Sequence, residues 1–216
     1  MADTVIYTAI FGGKDKLHRP LVLPSNCDFV VFDDASSVSS DPDPVRAAKM
    51  YKILPHRFFP QYEYSVWIDG NIFVRGDVNE LIEQYLHDTN IALFSHANNV
   101  MDPCDSVYVE GEYLIMRAEK GKSKDDPGLI RTQMQNYKKE GFPDRGGLVV
   151  GMEIVRRHNE PDVKEAMEAW WHEIQTHSKR DQLSFNYVAW KQNLKFAYMD
   201  GDSRDNRYFV WKPHQR

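Results

Sequence analysis

Several short apolar runs, rich in β-branched and aromatic residues, end in glycine or in polar residues. Runs of this composition predict buried strands that stop at tight loops. The runs and the residues that close them are 5–11 with Gly12-Gly13, 28–32 with Asp33-Asp34, 64–68 with Asp69-Gly70-Asn71, and 91–95 with His96. This repeated arrangement favours a fold built around a central sheet, with polar residues at the ends of its strands.

Helical segments separate these strands. Asp43, Asp77 and Asp126 stand where N-caps are needed, because a side-chain carboxylate accepts the free amide N–H groups of a first helical turn. Ser178 followed by Asp181 has the pattern of a capping box. The predicted helices cover residues 44–54, 78–86, 128–139, 161–176 and 178–190, a further strand covers 147–155, loops cover 35–43 and 96–105, and the tail from 199 is predicted to be irregular.

Alternation of strands and helices in the first half is typical of a mostly parallel sheet covered by helices. The predicted fold class is therefore α/β: a Rossmann-like, mostly parallel mixed sheet flanked by helices in a single compact domain. The length of 216 residues, of which 42% are hydrophobic, suits one buried core. Ligands of such sheets bind beyond the carboxyl ends of the strands, so the polar residues there are expected to converge on one rim.

Composition argues against several classes of protein, although net charge leaves a local basic groove possible. A formal charge of −5 argues against a nucleic-acid partner, because affinity for nucleic acids comes largely from a basic surface. No apolar stretch is long enough for a membrane span, and no signal-peptide pattern follows Met1, so we expect a cytoplasmic protein. Cys27 and Cys104 are too few for a disulfide framework or a four-cysteine zinc site, and we expect reduced thiols.

The segment Asp69-Gly70-Asn71 is the strongest candidate site. Residues two apart in an extended chain project to the same side, so Asp69 and Asn71 could offer a carboxylate and an amide oxygen to Mg²⁺ or Mn²⁺. Such an ion would neutralise a bound diphosphate, and Gly70 would let a phosphate approach the backbone. The alternative is structural, since Asp-Gly and Gly-Asn are common turn dipeptides.

Two further groups of charged residues have both a functional and a structural interpretation. Arg46 and Lys49 lie three residues apart on one helix face, where they could bind phosphate or form a solvated surface. Arg180 and Asp181 could face a sugar or a diphosphate at a helix start, but the capping box explains Asp181 equally well. Spacing leaves both alternatives open.

Other common catalytic signatures are missing from the sequence. It has no glycine-rich dinucleotide fingerprint, no Walker loop and no Gly-x-Ser-x-Gly elbow, which argues against dinucleotide enzymes, P-loop NTPases and serine hydrolases of the α/β class. The eight histidines show no metal-pair spacing.

Longer stretches resemble the TOD1/MUCI70 glycosyltransferase-like family. The matching stretches lie between about residues 5 and 190, so the resemblance extends over nearly the whole chain. They include AIFGGKDKL at 9–17, RAAKMYKILPH at 46–56, YSVWIDGNI at 64–72, QMQNY at 133–137, GFP at 141–143, RRHN at 156–159, WWHEI at 170–174 and SKRDQLSF at 178–185.

The resemblance implies a GT-A-type fold over residues 1–216, with a nucleotide-binding half at about 1–95 and an acceptor half at about 96–216. It implies transfer of a hexosyl or deoxyhexosyl group from a nucleotide-diphosphate sugar such as a UDP-sugar to a glycan or other hydroxyl acceptor, as in polysaccharide biosynthesis. Asp69-Gly70-Asn71 stands at the family's metal motif, although Asn71 replaces a carboxylate.

The residue roles that follow from this resemblance are hypotheses. Asp69 and Asn71 are assigned as ligands of Mn²⁺ or Mg²⁺. The carboxylate of either Glu153 or Asp181 is expected to orient or deprotonate the acceptor hydroxyl. The residues assigned to catalysis are Asp181, Glu153 and Arg180, and those assigned to the donor are Phe11, Gly12, Gly13, Asp33, Asp34, Arg46, Lys49, Asp69, Gly70 and Asn71.

Two other functions stay open at this point. Asn71 in place of a carboxylate also suits a non-catalytic module that binds a nucleotide sugar or a glycan within a larger transferase. A metal-dependent hydrolase on the same fold is a weaker alternative. The polar tail that ends at residue 216 leaves room for further domains of a longer chain.

Overall fold

Strands and helices alternate along the computed structural model, which describes residues 2–36, 38–39, 41–123 and 125–214. The strands are β1 (Thr4–Ile10), β2 (Cys27–Asp33), β3 (Tyr64–Ile68), β4 (Ile72–Val74), β5 (Ile91–Ser95), β6 (Val149–Arg156), β7 (Ala197–Met199) and β8 (Phe209–Trp211). The α-helices are α1 (Pro44–Ile53), α2 (Pro55–Phe58), α3 (Val78–Tyr85), α4 (Val107–Glu119), α5 (Pro127–Lys139), α6 (Pro161–Thr176) and α7 (Phe185–Lys191).

Six strands form the main sheet, in the order β2-β1-β3-β6-β5-β7. β6 is antiparallel to both of its neighbours, and the remaining pairs are parallel. The start of β6 therefore lies at the same edge of the sheet as the carboxyl ends of β1, β3 and β5. This topology confirms the predicted α/β class with a mostly parallel mixed sheet.

Side chains of β1 alternate between two apolar layers, as expected for a strand covered on both faces. Val5 and Tyr7 pack into the layer that includes residues of α1, α5, α6 and α7, whereas Ile6 packs into the layer that includes α3. A two-stranded sheet of β4 and β8 contributes to the α3 side. No helix in the described ranges combines the length and apolarity required to cross a bilayer.

Local capping signals were reliable. Asp43, Asp77 and Asp126 each accept an amide N–H from the first turn of α1, α3 and α5, respectively. Pro44 and Pro127 occupy the first turn, where the missing N–H of proline costs nothing. The helices predicted from these signals are therefore confirmed.

The predicted helix from Ser178 is wrong at its start. The hydroxyl of Ser178 accepts the N–H of Arg180, a short 3₁₀ helix spans Asp181–Leu183, and α7 begins only at Phe185. The carboxylate of Asp181 does not close a capping box, because it binds two lysines from α1.

The tail and the segment before Asp126 also differ from the prediction. The tail contains β8, which pairs with β4, and residues before it form β7 at the edge of the main sheet. α4 follows the predicted loop after β5, and Ser106 caps it by accepting the N–H of Val109. Strands of three residues are too short to show a periodic pattern, so sequence alone did not reveal β4, β7 or β8.

Gly147 precedes β6 in a conformation with φ of +87°, and a Cβ there would overlap the hydroxyl of Tyr198 and lie 2.7 Å from Nδ2 of Asn186. We expect Gly147→Ala to lower the free energy of unfolding by about 3 kcal/mol, because it combines backbone strain with overpacking. Urea denaturation would measure the change.

Gly141 provides the matched control. It has the same φ of +87°, but nothing lies within 4 Å of the position that a Cβ would take there. Gly141→Ala should therefore cost only the backbone term, about 1 kcal/mol. Equal losses in the two variants would contradict the packing argument.

Candidate active site

Two adjoining cavities lie at the edge of the sheet where β1 and β3 end. The smaller has a volume of about 180 Å³ and the larger about 460 Å³. Both are lined by Lys14, Pro44, Val45 and Lys49, so the start of α1 and the loop after β1 form their common boundary. The position agrees with the expectation that ligands bind beyond the carboxyl ends of the strands.

A buried cluster of two lysines and two aspartates lies at these cavities. Lys49 Nζ is 2.7 Å and Lys52 Nζ is 2.5 Å from Oδ2 of Asp181, and Lys52 Nζ is also 3.2 Å from Oδ1 of Asp69. Lys52 and Asp181 are almost completely buried. Gly151 on β6 leaves room for the pair, because a Cβ there would lie 3.0 Å from Asp181 Oδ2 and 3.1 Å from Lys52 Nζ.

The cluster stabilises the charged forms of its central pair. Burial opposes ionisation of Asp181, but Lys49 and Lys52 outweigh it and hold the pKa of this carboxyl below its usual range. Burial also disfavours the Lys52 ammonium, yet Asp181 and Asp69 raise its pKa above that of an ordinary lysine. Asp181 is therefore a poor proton acceptor at neutral pH and a good fixed anion.

Asp69 and Asn71 keep oxygen atoms available beside the smaller cavity. Asp69 Oδ1 accepts hydrogen bonds from Lys52 Nζ and, at 2.8 Å, from Trp67 Nε1. Asn71 Nδ2 donates to the carbonyl of Lys212 at 3.0 Å. Within the described chain, Asp69 Oδ2 and Asn71 Oδ1 have no hydrogen-bond partner, so both oxygens are available to a ligand.

Gly70 lines the smaller cavity and also has a role in packing. A Cβ on Gly70 would lie 2.9 Å from Cγ1 of Ile10 and 3.4 Å from the carboxylate of Asp15. The glycine therefore allows the end of β1 to pack closely against the turn after β3.

The loop after β1 is held by backbone and side-chain contacts. Gly12 and Gly13 have φ values of +64° and +58°, which favour glycine, and the N–H of Gly12 donates to the carboxylate of Asp34. Asp33 instead accepts from Ala35 and Ser36 in its own turn, which lowers its pKa. Both aspartates thus shape the end of β2.

The two predicted arginines each pair with a nearby carboxylate. Arg180 makes a bidentate contact with Asp125 through Nε and Nη2, and the side chain of Asp125 is almost completely buried. Arg46 Nε lies 3.7 Å from Oδ2 of Asp41. Arg180 lines the larger cavity, whereas Arg46 lines neither of the two.

Glu153 on β6 is completely buried, and neither carboxylate oxygen has a hydrogen-bond partner among the described residues. Burial, followed by the charges of Asp69 and Asp202, raises its pKa well above the ordinary value of 4.5, although Lys52 opposes the shift. The neutral acid is therefore the favoured form inside the sheet. The Glu153 side chain has no exposed surface through which it could meet an acceptor.

The predicted site residues thus fall into two groups. Those that line at least one of the two cavities are Phe11, Lys49, Asp69, Gly70, Asn71, Arg180 and Asp181. Those outside both cavities are Gly12, Gly13, Asp33, Asp34, Arg46 and Glu153.

Sequence reasoning missed several residues at the same site. Lys52 was overlooked, although it lies three residues after Lys49 and one helical turn places both on one face. His214 was also missed: it lines the smaller cavity, with its Nδ1 2.6 Å from Oδ1 of Asp15 in the loop after β1. No local signal connects residues 199 positions apart, so only the fold could reveal this pair.

Most of the chain matches the model of a known protein family. The model of the family described as "TOD1/MUCI70, glycosyltransferase-like domain" matches residues 37–201, well over half of the sequence. The chain belongs to the TOD1/MUCI70 glycosyltransferase-like family. The matched range contains Lys49, Lys52, Asp69 and Asp181, so the buried cluster lies within the family domain.

A curated relative of this family member was also found. "Probable hexosyltransferase MUCI70" of Arabidopsis thaliana is 31% identical over 153 residues, which cover 66% of this chain and 24% of that protein. The chain therefore spans about a quarter of that relative's length.

Solved structures with a similar arrangement include apo mouse xyloside xylosyltransferase 1, with a TM-score of 0.47, 12% identity and coverage of 92% of this chain and 85% of that chain. The apo bifunctional glycosyltransferase WbbM has a TM-score of 0.43 and 15% identity, with coverage of 82% of this chain and 28% of that chain.

Glu153 generates a prediction about stability in this TOD1/MUCI70 family member. Since its pKa is raised in the folded state, the associated stability is complete below the ordinary pKa of 4.5 and is lost as pH rises through the folded pKa. Glu153→Gln removes this dependence while keeping the size and shape of the side chain. We expect the variant to gain at least about 1 kcal/mol relative to the wild type between about pH 5 and about pH 8.

Urea denaturation of both proteins at the two pH values would measure the difference. Glu160→Gln is the control, since this exposed side chain makes no capping hydrogen bond to α6 and its substitution should leave the pH dependence unchanged. A constant difference between wild type and Glu153→Gln across this range would contradict the ionisation argument.

Proposed function

We propose that this chain is a glycosyltransferase domain that moves a sugar from a nucleotide-diphosphate sugar to a hydroxyl group of a glycan. The main support is the buried cluster of Lys49, Lys52, Asp69 and Asp181 beside two cavities, in a chain of the TOD1/MUCI70 family. A hexosyl donor is supported by the name of the Arabidopsis relative.

Positive charge for the donor's diphosphate is available at the boundary of the two cavities. Lys14 is exposed, lines both cavities and makes no ion pair or hydrogen bond within the described residues. Lys49 lines both cavities as well, but its ammonium is already paired with Asp181. Lys14 is therefore the cation with the greatest remaining capacity to bind phosphate.

Asp69 and Asn71 would hold a divalent cation. Their two free oxygens are hard donors that suit Mg²⁺ or Mn²⁺, which commonly bind one or two protein ligands and complete their coordination with water and substrate phosphates. The described residues contain no group of three or more histidine, cysteine or acidic side chains arranged for a metal, so such an ion would depend on the donor for further ligands. When bound, it would act as a Lewis acid on the leaving diphosphate.

Lys52 and Asp181 would act on this site by positioning. The ammonium of Lys52 fixes Asp69 Oδ1 together with the indole N–H of Trp67, which orients the carboxylate. Asp181 in turn holds Lys52 and Lys49 in place. Preorganised charges of this kind lower a barrier without reorganisation during the reaction.

Turnover of a donor tests the proposed function directly. The wild type, incubated with a panel of UDP-hexoses and methyl glycosides, should release UDP and form glycosylated product when Mn²⁺ or Mg²⁺ is present. Asp69→Ala should lower UDP release by about 100-fold, because it removes an oriented charge at the leaving group. Asp88→Ala, on an exposed side chain beside His87, is the control.

Undiminished turnover by Asp69→Ala would contradict the role of Asp69. If the protein binds UDP-sugars but releases no UDP with every acceptor of the panel, the result would favour the non-catalytic binding module. Release of free sugar at the same rate with and without an acceptor would favour a hydrolase.

Lys14 supplies a separate prediction. We expect Lys14→Met to raise KM for the UDP-sugar about tenfold, because one charge-assisted contact of about 1.4 kcal/mol is lost, with little change in kcat. Lys16→Met is a matched control, since Lys16 is also exposed but lines neither cavity. An equal KM effect in the two variants would indicate general attraction of the anionic donor rather than a contact at Lys14.

A further inference from the structure

Glu110 lies on the side of the cluster that the donor assignment leaves unused. Along the edge of the sheet, the loop after β1 and Asp69 after β3 are followed by β6 and then by β5, which ends at Ser95 just before His96. α4 carries Glu110, and its carboxylate accepts a hydrogen bond of 2.9 Å from Nε2 of Gln182, the residue after Asp181. Glu110 is thus adjacent to the cluster but on the side of β5.

Glu110 lines neither cavity itself, but one of the charged residues around it does. Arg180 lines the larger cavity, and its positive charge acts to lower the pKa of Glu110. His96 and Arg117 act in the same direction, whereas Asp102 opposes them. Burial outweighs these charges and raises the pKa of Glu110 above its ordinary value, while the side chain keeps partial exposure.

The carboxylates that line the larger cavity are each paired with a cation. Asp181 binds two lysines, Asp125 binds Arg180, and Asp43 binds Lys179 at 2.6 Å. Each of these contacts stabilises the ionised carboxylate and reduces its ability to accept a proton. Glu110 differs, because its hydrogen-bond partner is the neutral amide of Gln182.

We propose that Glu110 is the catalytic residue that binds the acceptor hydroxyl and accepts its proton. The acceptor is a carbohydrate hydroxyl that enters from the side of β5, opposite the loop after β1. This inference rests on the proposed function, since it requires a sugar donor at Lys14 and Asp69. Gln182 is the positioning residue that holds the Glu110 carboxylate.

The reaction is balanced without another reagent. The acceptor O–H bond breaks and its proton passes to a carboxylate oxygen of Glu110, while the acceptor oxygen forms a bond to the anomeric carbon. The bond from that carbon to the diphosphate oxygen breaks, and its electron pair leaves with the nucleoside diphosphate. Protonated Glu110 then releases the proton to water.

Comparison of proton-bearing and proton-free nucleophiles tests this role. UDP release from a UDP-hexose turned over by the wild type would be measured with a methyl glycoside, with water and with sodium azide as nucleophile. Glu110→Gln preserves the contact with Gln182 but should lower turnover with the methyl glycoside and with water by about 100-fold or more. Azide needs no deprotonation and should restore UDP release, with a glycosyl azide as the product.

The pH profile gives a second readout that a purely structural role would not change. Wild-type turnover should fall at low pH as Glu110 becomes protonated, and this acidic limb should be absent from the residual activity of Glu110→Gln. Affinity for UDP, measured by calorimetry, should be the same in both proteins. Glu112→Gln is the matched control, since Glu112 is exposed on the same helix.

The outcomes separate this inference from the proposed function. If the wild type turns over and Glu110→Gln has activity within about threefold of it, the role of Glu110 is overturned while the proposed function stands. An acidic limb that is unchanged in Glu110→Gln would have the same meaning. Loss of activity in Glu110→Gln without azide rescue and with weakened UDP binding would also overturn it. Absence of turnover in the wild type would overturn both proposals.

Discussion

The buried ammonium of Lys52 is the contact on which the rest of the site depends. Isolated charge inside a protein is strongly unfavourable, so Lys52 requires the carboxylates of Asp181 and Asp69 to remain ionised and paired. These contacts join α1 to the end of β3 and to a segment that follows α6. The same lysine therefore determines both the packing of these elements and the orientation of Asp69.

The acidic side chains at and near this cluster differ in how they are paired. Asp181 is fixed as an anion by two cations, whereas Glu153 is buried without a hydrogen-bond partner in the described part of the chain and favours the neutral acid. Asp69 differs from both, because one of its oxygens is bound and the other is available. Four acidic groups of similar intrinsic acidity, with Glu110 as the fourth, acquire different chemical roles because their surroundings differ.

Elements with a local signal could be predicted from sequence, and contacts between distant segments could not. The aspartate caps of α1, α3 and α5 and the apolar run of β3 depend on neighbours within a few residues, so their patterns were sufficient. Ser178 shows the limit: its spacing to Asp181 fits a capping box, but a buried lysine from another helix competes for that carboxylate. Residues at the smaller cavity such as His214 depend on β4–β8 pairing, which no local pattern reveals.

The site is divided between the family domain and the segments that flank it, and this division has a consequence for ligand binding. Lys49, Lys52, Asp69 and Asp181 fall inside the matched range of 37–201, whereas Lys14 and His214 fall outside it. The flanking segments thus complete the walls of the smaller cavity around a cluster that belongs to the family domain. For the proposed reaction, we therefore expect the flanking segments to contribute mainly to binding of the donor, and the transfer step to depend on the cluster.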